Sequence, residues 1–212
     1  MNSPKEIRNE RLAAKLIKNL SRRQISAIYC KTAHEAVEKI LSMIPNGSSI
    51  SWGGSMTIRD MGLTATLHKK GTYQLFDRDL SQTREEAMAI YQKAFGADYY
   101  LSSVNAISEE GVIVNIDGNG NRVAAITFGP KHVIFVVGLN KVTQTTEAAL
   151  ARARSTASPI NASRFNLQTP CQIDGVCHNC NSDDCICNYI HFLRHSPHAR
   201  HTVVLVGEDL GY

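Results

Sequence analysis

The sequence lacks the long apolar runs of a membrane protein and carries little excess charge. No apolar segment approaches the ~20 residues that a transmembrane helix requires, and the first seven residues lack the apolar core of a secretory signal. The formal net charge is only +4 over 212 residues, and Lys and Arg are concentrated only near the amino terminus. We therefore expect a cytoplasmic protein that binds neither a membrane nor nucleic acid.

The composition is that of an ordinary globular protein. Hydrophobic residues make up 43% of the chain and charged residues 20%, which are values typical of folded domains. A chain of this length can bury one substantial hydrophobic core. We predict a single domain over residues 1–212, with an amino-terminal helix in 1–22 and a cysteine-rich loop in 168–190 as parts of it.

Short segments rich in β-branched residues alternate with segments of helical periodicity. Alternation of this kind favours an α/β fold with a mostly parallel central sheet and helices on both faces. Two of the segments, between residues 99 and 116, are close enough to pair as an antiparallel hairpin, which would make the sheet mixed. Residues 123–128 are interpreted as a helical turn that ends at Gly129-Pro130. The predicted strands are 25–30, 49–52, 73–76, 99–103, 112–116, 133–138 and 202–207, and the longer predicted helices are 6–20, 32–43, 58–69, 84–95 and 147–154.

A glycine-containing turn follows the second predicted strand and precedes a helix. Backbone N–H groups in such a turn, together with serine and threonine hydroxyls, suit a phosphate or a carboxylate. The alternative is a tight turn in which a hydroxyl caps the helix. The segment lacks the Gly-Lys-Ser/Thr ending of a nucleotide-binding P-loop. Its candidate ligand-binding residues are Gly53, Gly54, Ser55 and Thr57.

A second polar glycine loop lies in the segment Asn115-Ile-Asp-Gly-Asn-Gly-Asn-Arg122. It could be an ordinary turn between two elements, where Asp-Gly and Asn-Gly are common. Both glycine loops follow predicted strands, and ligands of open α/β sheets bind at the carboxyl ends of the strands. We therefore predict one shared ligand cleft, to which this part of the chain contributes Asn105, Asp117, Gly118, Asn119, Gly120, Asn121 and Arg122. Lys141 also follows a strand and is either a group that neutralises an anionic ligand or a solvated lysine.

Five of the six cysteines lie within residues 171–187. A Cys-x-x-Cys pair can bind one metal ion, and two further thiolates complete a set of four sulfur ligands. Zinc and an iron–sulfur cluster both fit this spacing, His178 and His191 are alternative nitrogen donors, and reduced surface thiols are the other interpretation. The proposed metal ligands are Cys171, Cys177, Cys180 and Cys187, with Cys185 between the last two.

Seven segments, in consistent order along nearly the whole chain, resemble the lactate-utilisation (LUD) domain family. The resemblance implies a fold similar to ribose-5-phosphate isomerase, glucosamine-6-phosphate deaminase and the CoA transferases, in which polar glycine loops hold phosphorylated or carboxylated ligands. The four proposed metal-binding cysteines match a subset of the family, and Cys185 departs from its pattern. The segments are Trp52-Gly-Gly-Ser-Met-Thr57, Ser103-Val-Asn-Ala-Ile107, Val114-Asn-Ile-Asp-Gly-Asn-Gly-Asn-Arg-Val-Ala-Ala125, Gly129-Pro130, Val137-Gly-Leu-Asn-Lys-Val142, Pro159-Ile-Asn-Ala162 and Val206-Gly-Glu-Asp-Leu-Gly211.

The sequence thus leads to one principal hypothesis and two alternatives. The principal one is a protein that binds a small anionic metabolite and takes part in the oxidation of L-lactate or a related 2-hydroxy acid, because some LUD proteins belong to such systems with iron–sulfur partners. If it catalyses a step, Asp117 is the candidate general base and Lys141 the charge stabiliser. The alternatives are an iron–sulfur or zinc accessory subunit that transfers electrons to a redox protein partner, and a sugar-phosphate isomerase or transferase. A homodimer is compatible with all three.

Overall fold

Two β-sheets form the framework of the protein. The computed structural model describes residues 3–212, so the first two positions of the predicted segment 1–22 lie outside the described residues. The strands are β1 (Ser26–Cys30), β2 (Ser49–Trp52), β3 (Gln74–Phe76), β4 (Tyr99–Ser102), β5 (Ala106–Ser108), β6 (Ile113–Asp117), β7 (His132–Gly138), β8 (Val142–Thr143), β9 (Tyr189–Leu193) and β10 (His201–Val206).

The main sheet has six strands in the order β1-β10-β7-β4-β2-β3, and every neighbouring pair is parallel. This confirms the predicted α/β fold with a mostly parallel sheet. The central strand β7 is apolar from Val133 to Val137 because both of its faces are covered. Val133 and Phe135 belong to the core on one face, while Ile134 and Val136 belong to the core on the other.

The second sheet has four strands in the order β8-β5-β6-β9. The pairs β5–β6 and β6–β9 are antiparallel, and β5–β8 is parallel. The expected pairing of the predicted strands 99–103 and 112–116 is wrong, because the first of them is β4 of the main sheet. The antiparallel hairpin of this region joins β6 to β5, a strand that was not predicted. Strand β9 was not predicted, because its sequence Tyr-Ile-His-Phe-Leu directly follows the cysteine-rich segment. It is an edge strand, and Tyr189, Ile190 and Phe192 are exposed.

The helices follow the predicted periodicity with one main difference. The predicted helix 58–69 is two helices, because Gly62 has a φ of +76° and ends the first of them. The interpretation of residues 123–128 as helical is confirmed. The helices are α1 (Pro4–Ser21), α2 (Ala33–Met43), α3 (Met56–Asp60), α4 (Leu63–Lys70), α5 (Arg84–Ala94), α6 (Asn121–Thr127), α7 (Thr146–Arg152), α8 (Ser158–Ala162) and α9 (Pro170–Asp174). None of the helices within residues 3–212 is both long enough and apolar enough to cross a bilayer.

Arg200 fixes the position of α6 against the main sheet. Its guanidinium donates to the carbonyls of Ile126 and Thr127 at 2.8 Å each, of Ala125 at 3.1 Å, and of Pro130 at 2.9 and 3.2 Å. Carbonyls at the carboxyl end of a helix have no partner within the helix. Arg200 supplies these partners and so holds the helix that follows the second glycine loop.

We expect Arg200→Lys to lower the free energy of unfolding by roughly 1–3 kcal/mol, because an ammonium group cannot reproduce the planar set of five donors. Urea denaturation measures this change. The matched control is Arg194→Lys, since Arg194 is exposed and its side chain makes no hydrogen bond or ion pair within residues 3–212. Equal stability of the two variants would contradict this role for Arg200.

Candidate functional site

A cleft of about 440 Å³ opens where the two sheets meet. Residues that follow β2, β3 and β4 of the main sheet line it, together with those that follow β6 of the second sheet. The carboxyl ends of parallel strands are the usual position of ligands in open α/β sheets. The cleft therefore lies where the sequence predicted a ligand site.

The cleft brings together most of the residues proposed as ligand-binding. Gly53 and Gly120 do not line it, and Gly53 instead packs so closely against Tyr100 that an added Cβ would lie 3.0 Å from its hydroxyl oxygen. Ser55 and Asn119, from the two glycine loops, share the same cavity. The ten proposed residues that do line the cleft are Gly54, Ser55, Thr57, Asn105, Asp117, Gly118, Asn119, Asn121, Arg122 and Lys141.

Two buried polar atoms on the cleft wall have no hydrogen-bond partner among residues 3–212. They are Oγ of Ser55 and Nε of Arg78. Ser55 precedes α3, but its side chain does not cap that helix. Nε of Arg78 lies 3.6 Å from a carboxylate oxygen of Asp79, beyond hydrogen-bond distance. A buried donor without a partner costs about 1–3 kcal/mol, and a ligand that accepted hydrogen bonds from both groups would remove this cost.

Asp117 organises the second glycine loop. Its Oδ1 accepts hydrogen bonds from the N–H groups of Asn119 at 3.3 Å and Gly120 at 3.2 Å. Its Oδ2 accepts from the N–H of Val123 at 3.3 Å and from Nε of Arg122 at 3.4 Å. These four bonds favour a positioning role for the carboxylate. Its action as a general base stays a prediction.

Arg122 and Asn105 tie this loop to the main sheet. The guanidinium of Arg122 donates to the backbone oxygen of Ile116 at 2.5 Å, to Oδ1 of Asn105 at 3.2 Å and to Oδ1 of Asn115 at 3.4 Å. The guanidinium stays charged, and four of its five N–H groups are bonded to the protein. Arg122 therefore contributes mainly positive potential to the cleft.

The cleft is electropositive. Its lining contains five basic residues, Arg59, Arg78, Arg122, Arg164 and Lys141, and two acidic residues, Asp79 and Asp117. Because α3 has five residues and α6 has seven, their dipoles are small and the side chains supply most of the positive potential. Three of these arginines, Arg59, Arg78 and Arg164, were not predicted from the sequence. Arg78 follows β3, so the rule of strand carboxyl ends could have identified it, whereas the other two carry no such signal.

Lys141 lies at the floor of the cleft. Only 2% of the residue is exposed, and its Nζ donates to Oγ1 of Thr57 at 2.9 Å and to Oγ of Ser103 at 3.0 Å. Burial, together with the positive charges of Arg152 and Arg122, lowers the pKa of the amine to about 7, against a weak opposing effect of Asp60. The alternative of a solvated lysine is therefore wrong.

A second cavity of about 370 Å³ is lined by all five cysteines of residues 171–187. These cysteines form no disulfide bonds, and burial raises the pKa of the Cys187 thiol. Within the described part of the chain, no three Cys, His, Asp or Glu side chains are grouped so as to hold one metal ion. His178 lines the cavity and contacts Asp174 at 2.7 Å, whereas His191 contacts Thr127 at 3.0 Å. The predicted metal site is not supported by this arrangement and stays a prediction.

Comparison with known proteins assigns the family. The sequence profile of the LUD domain matches residues 13–206, and the chain therefore belongs to the LUD domain family. Membership supports a function related to lactate utilisation at the level of the family. No curated protein matches the chain.

One solved structure shares the fold over nearly the whole chain, and two others match about two thirds of the chain with lower similarity. A DUF162 family protein from Deinococcus radiodurans has a TM-score of 0.57 and 14% identity, covering 93% of this chain and 98% of its own. Ribose 5-phosphate isomerase A from Methanocaldococcus jannaschii has a TM-score of 0.35 and 15% identity, covering 65% and 56% of the two chains. The eIF2B delta subunit from Chaetomium thermophilum has a TM-score of 0.38 and 14% identity, covering 66% and 54%.

The buried amine gives a prediction about the pH dependence of stability. The pKa of Lys141 is about 7 in the folded protein and has an ordinary value of 10.5. Between these values the unfolded chain binds one more proton, so the free energy of unfolding rises with pH, by at most about 1.4 kcal/mol per pH unit. Relative to Lys141→Met, the wild type should therefore gain stability from about pH 7 to about pH 10. A difference between the two proteins that does not change with pH in urea denaturation would contradict the lowered pKa.

Proposed function

We propose that the cleft binds a small organic anion and that the protein acts in the oxidation of L-lactate or a related 2-hydroxy acid. The observation that carries this proposal is a pair of buried donors, Ser55 Oγ and Arg78 Nε, that have no hydrogen-bond acceptor among residues 3–212 and lie in an electropositive cleft. Guanidinium groups match the geometry of carboxylates and phosphates. A bound carboxylate would accept hydrogen bonds from donors that the protein itself leaves unused.

The rim of the cleft has a further cation that a ligand can reach. Arg164 is exposed, and its Nη1 donates to the backbone oxygen of Gly54 at 3.3 Å, to Oδ1 of Asn161 at 3.0 Å and to the hydroxyl of Tyr212 at 3.1 Å. These contacts hold the guanidinium over the first glycine turn. Arg164 would therefore attract the anion at the entrance, while Arg78 and Ser55 bind it inside.

Family membership narrows the class of anion. It supports a role in lactate utilisation, and L-lactate combines a carboxylate with a neighbouring hydroxyl. We assign the carboxylate to Arg78 and Ser55 and the hydroxyl to the amide side chains of Asn119 and Asn121 on the opposite wall. Lys141 would stabilise negative charge in its protonated form. The comparisons do not favour a sugar-phosphate isomerase or transferase over this assignment.

We expect Ser55→Ala to weaken anion binding roughly tenfold or more, because a hydrogen bond to a charged group contributes about 1.5–3 kcal/mol. The unliganded variant should be more stable than the wild type by up to about 1–3 kcal/mol, since the hydroxyl lost is a buried donor without a hydrogen-bond partner among residues 3–212. Melting temperatures with L-lactate, pyruvate and sugar phosphates measure the binding.

The control is Ser51→Ala, which removes a hydroxyl bonded to the carbonyl of Phe76 at 2.9 Å. This variant should lose about 1 kcal/mol of stability and keep the ligand-induced shift. If no anion raises the melting temperature of the wild type at high concentration, the proposed function is wrong.

A second candidate function is favoured by the cavity that five cysteines line. An accessory subunit in electron transfer would use Cys171, Cys177, Cys180 and Cys187 to hold zinc or an iron–sulfur cluster. Zinc needs four ligands that converge on one ion, whereas the thiolates of a cluster bind separate iron atoms. Thiols spread around one cavity of about 370 Å³ fit the cluster better than the single ion.

We expect protein purified without oxygen to contain iron and acid-labile sulfide, and Cys177→Ser to lose both, because one of the four proposed ligands is absent. The matched control is Cys30→Ser, since Cys30 is buried in the core away from the cavity. Elemental and sulfide analysis provides the measurement. Stoichiometric zinc without sulfide would identify a structural zinc site instead of a cluster. The absence of iron, sulfide and zinc would contradict both the cluster and the zinc site.

A further inference from the structure

Lys141 is a buried amine without an ion-pair partner in the described part of the chain. Among residues 3–212, no carboxylate oxygen lies within 4.0 Å of its Nζ, and its hydrogen-bond partners are the hydroxyls of Thr57 and Ser103. A buried lysine whose task is structural is normally paired with a carboxylate. Lys141 instead lines an electropositive cleft, so its position destabilises the ammonium form.

Of the charged groups that act on Lys141, two disfavour its protonated form and one favours it. Arg122 and Arg152 both act against protonation, and Asp60 acts weakly in its favour. Arg152 is fixed beside the lysine by bonds to the backbone oxygens of Asn140 at 3.3 Å and Asn105 at 2.5 Å. A desolvated lysine next to other cations is a nucleophile at neutral pH, because much of it is uncharged amine.

We propose that Lys141 forms an imine with the carbonyl group of a 2-oxo acid whose carboxylate is bound in the cleft. This inference rests on the proposed function, since it needs the anion site to hold the acid. A 2-oxo acid is the oxidised counterpart of a 2-hydroxy acid. The proposal therefore names the carbonyl-bearing member of the same substrate class and gives Lys141 a covalent role.

The reaction balances without an oxidant or a reductant. The nitrogen lone pair of Lys141 forms a bond to the carbonyl carbon, while the carbonyl electron pair moves to the oxygen, which gains a proton. The nitrogen then loses a proton to give a carbinolamine. Its lone pair forms the C=N bond as the hydroxyl takes up a second proton and leaves as water, and loss of the second proton from nitrogen gives the neutral imine. The hydroxyl of Ser103 already donates to the carbonyl of Val136 at 2.7 Å. Thr57 is therefore the hydroxyl better placed to pass protons to or from the nitrogen.

Borohydride trapping tests the imine. The full-length protein is incubated with pyruvate and sodium borohydride, which reduces an imine to a stable secondary amine, and is then digested for mass spectrometry. We expect one N-carboxyethyl group on Lys141. Its labelling rate should rise with pH up to about 7 and then level off, and should exceed that of exposed Lys69 by roughly a hundredfold or more at neutral pH. L-Lactate has no carbonyl group and should leave no adduct.

Two outcomes separate the failure of this inference from the failure of the proposed function. If pyruvate raises the melting temperature but Lys141 is unlabelled, or is labelled no faster than Lys69, imine formation is overturned and anion binding stands. If no anion changes the melting temperature and no adduct forms, both proposals fail. The variant Lys141→Arg should lose the adduct, because a guanidinium group stays charged and does not form an imine.

Discussion

The side chain of Asn105 joins the two sheets at the cleft. Its Oδ1 accepts hydrogen bonds from the backbone N–H of Ile116 at 2.9 Å and from Nη2 of Arg122 at 3.2 Å. Its own backbone oxygen accepts from Arg152 at 2.5 Å. One residue between β4 and β5 thus positions the end of β6, the guanidinium behind the second glycine loop, and a cation beside Lys141. Loss of the amide would remove the acceptor of the Ile116 N–H and one of the four acceptors of Arg122.

The residues of the cleft lower the stability of the folded protein. Positive charges are held close together around Lys141, and Oγ of Ser55 and Nε of Arg78 lack hydrogen-bond partners within residues 3–212. Each feature lowers stability, and each would be relieved by an anion that carries negative charge and accepts hydrogen bonds. Binding sites commonly contain such unfavourable features because the ligand completes them. The large apolar cores on both faces of β7 provide the stability that tolerates this.

The position of the cleft could be predicted from the sequence because polar glycine loops follow strands, and parallel strands end at one edge. The second sheet could not be predicted from the sequence, because the separation of β5 from β4 depends on tertiary contacts of Asn105 rather than on local propensity. Arg164 could not be predicted either, because it comes from the end of a short helix without any glycine signature. The burial of Lys141 depends on distant parts of the chain, among them Thr57 and Gly211. A Cβ added at Gly211 would contact both Oγ1 of Thr57 and Nζ of Lys141.

Cys185 adds a physical link between the two cavities. It lies in a shared wall with Ile116, Ser158 and Ile186, all of which line both the cleft and the cysteine cavity. Thiolates in the second cavity would place negative charge close to the anion site and weaken binding there, whereas a bound metal or cluster would neutralise much of that charge. Occupancy of one cavity would then change the affinity of the other, and the effect would be reciprocal. The two candidate functions are therefore compatible, because a metal or cluster bound in the second cavity would act across the shared wall on an anion bound in the cleft.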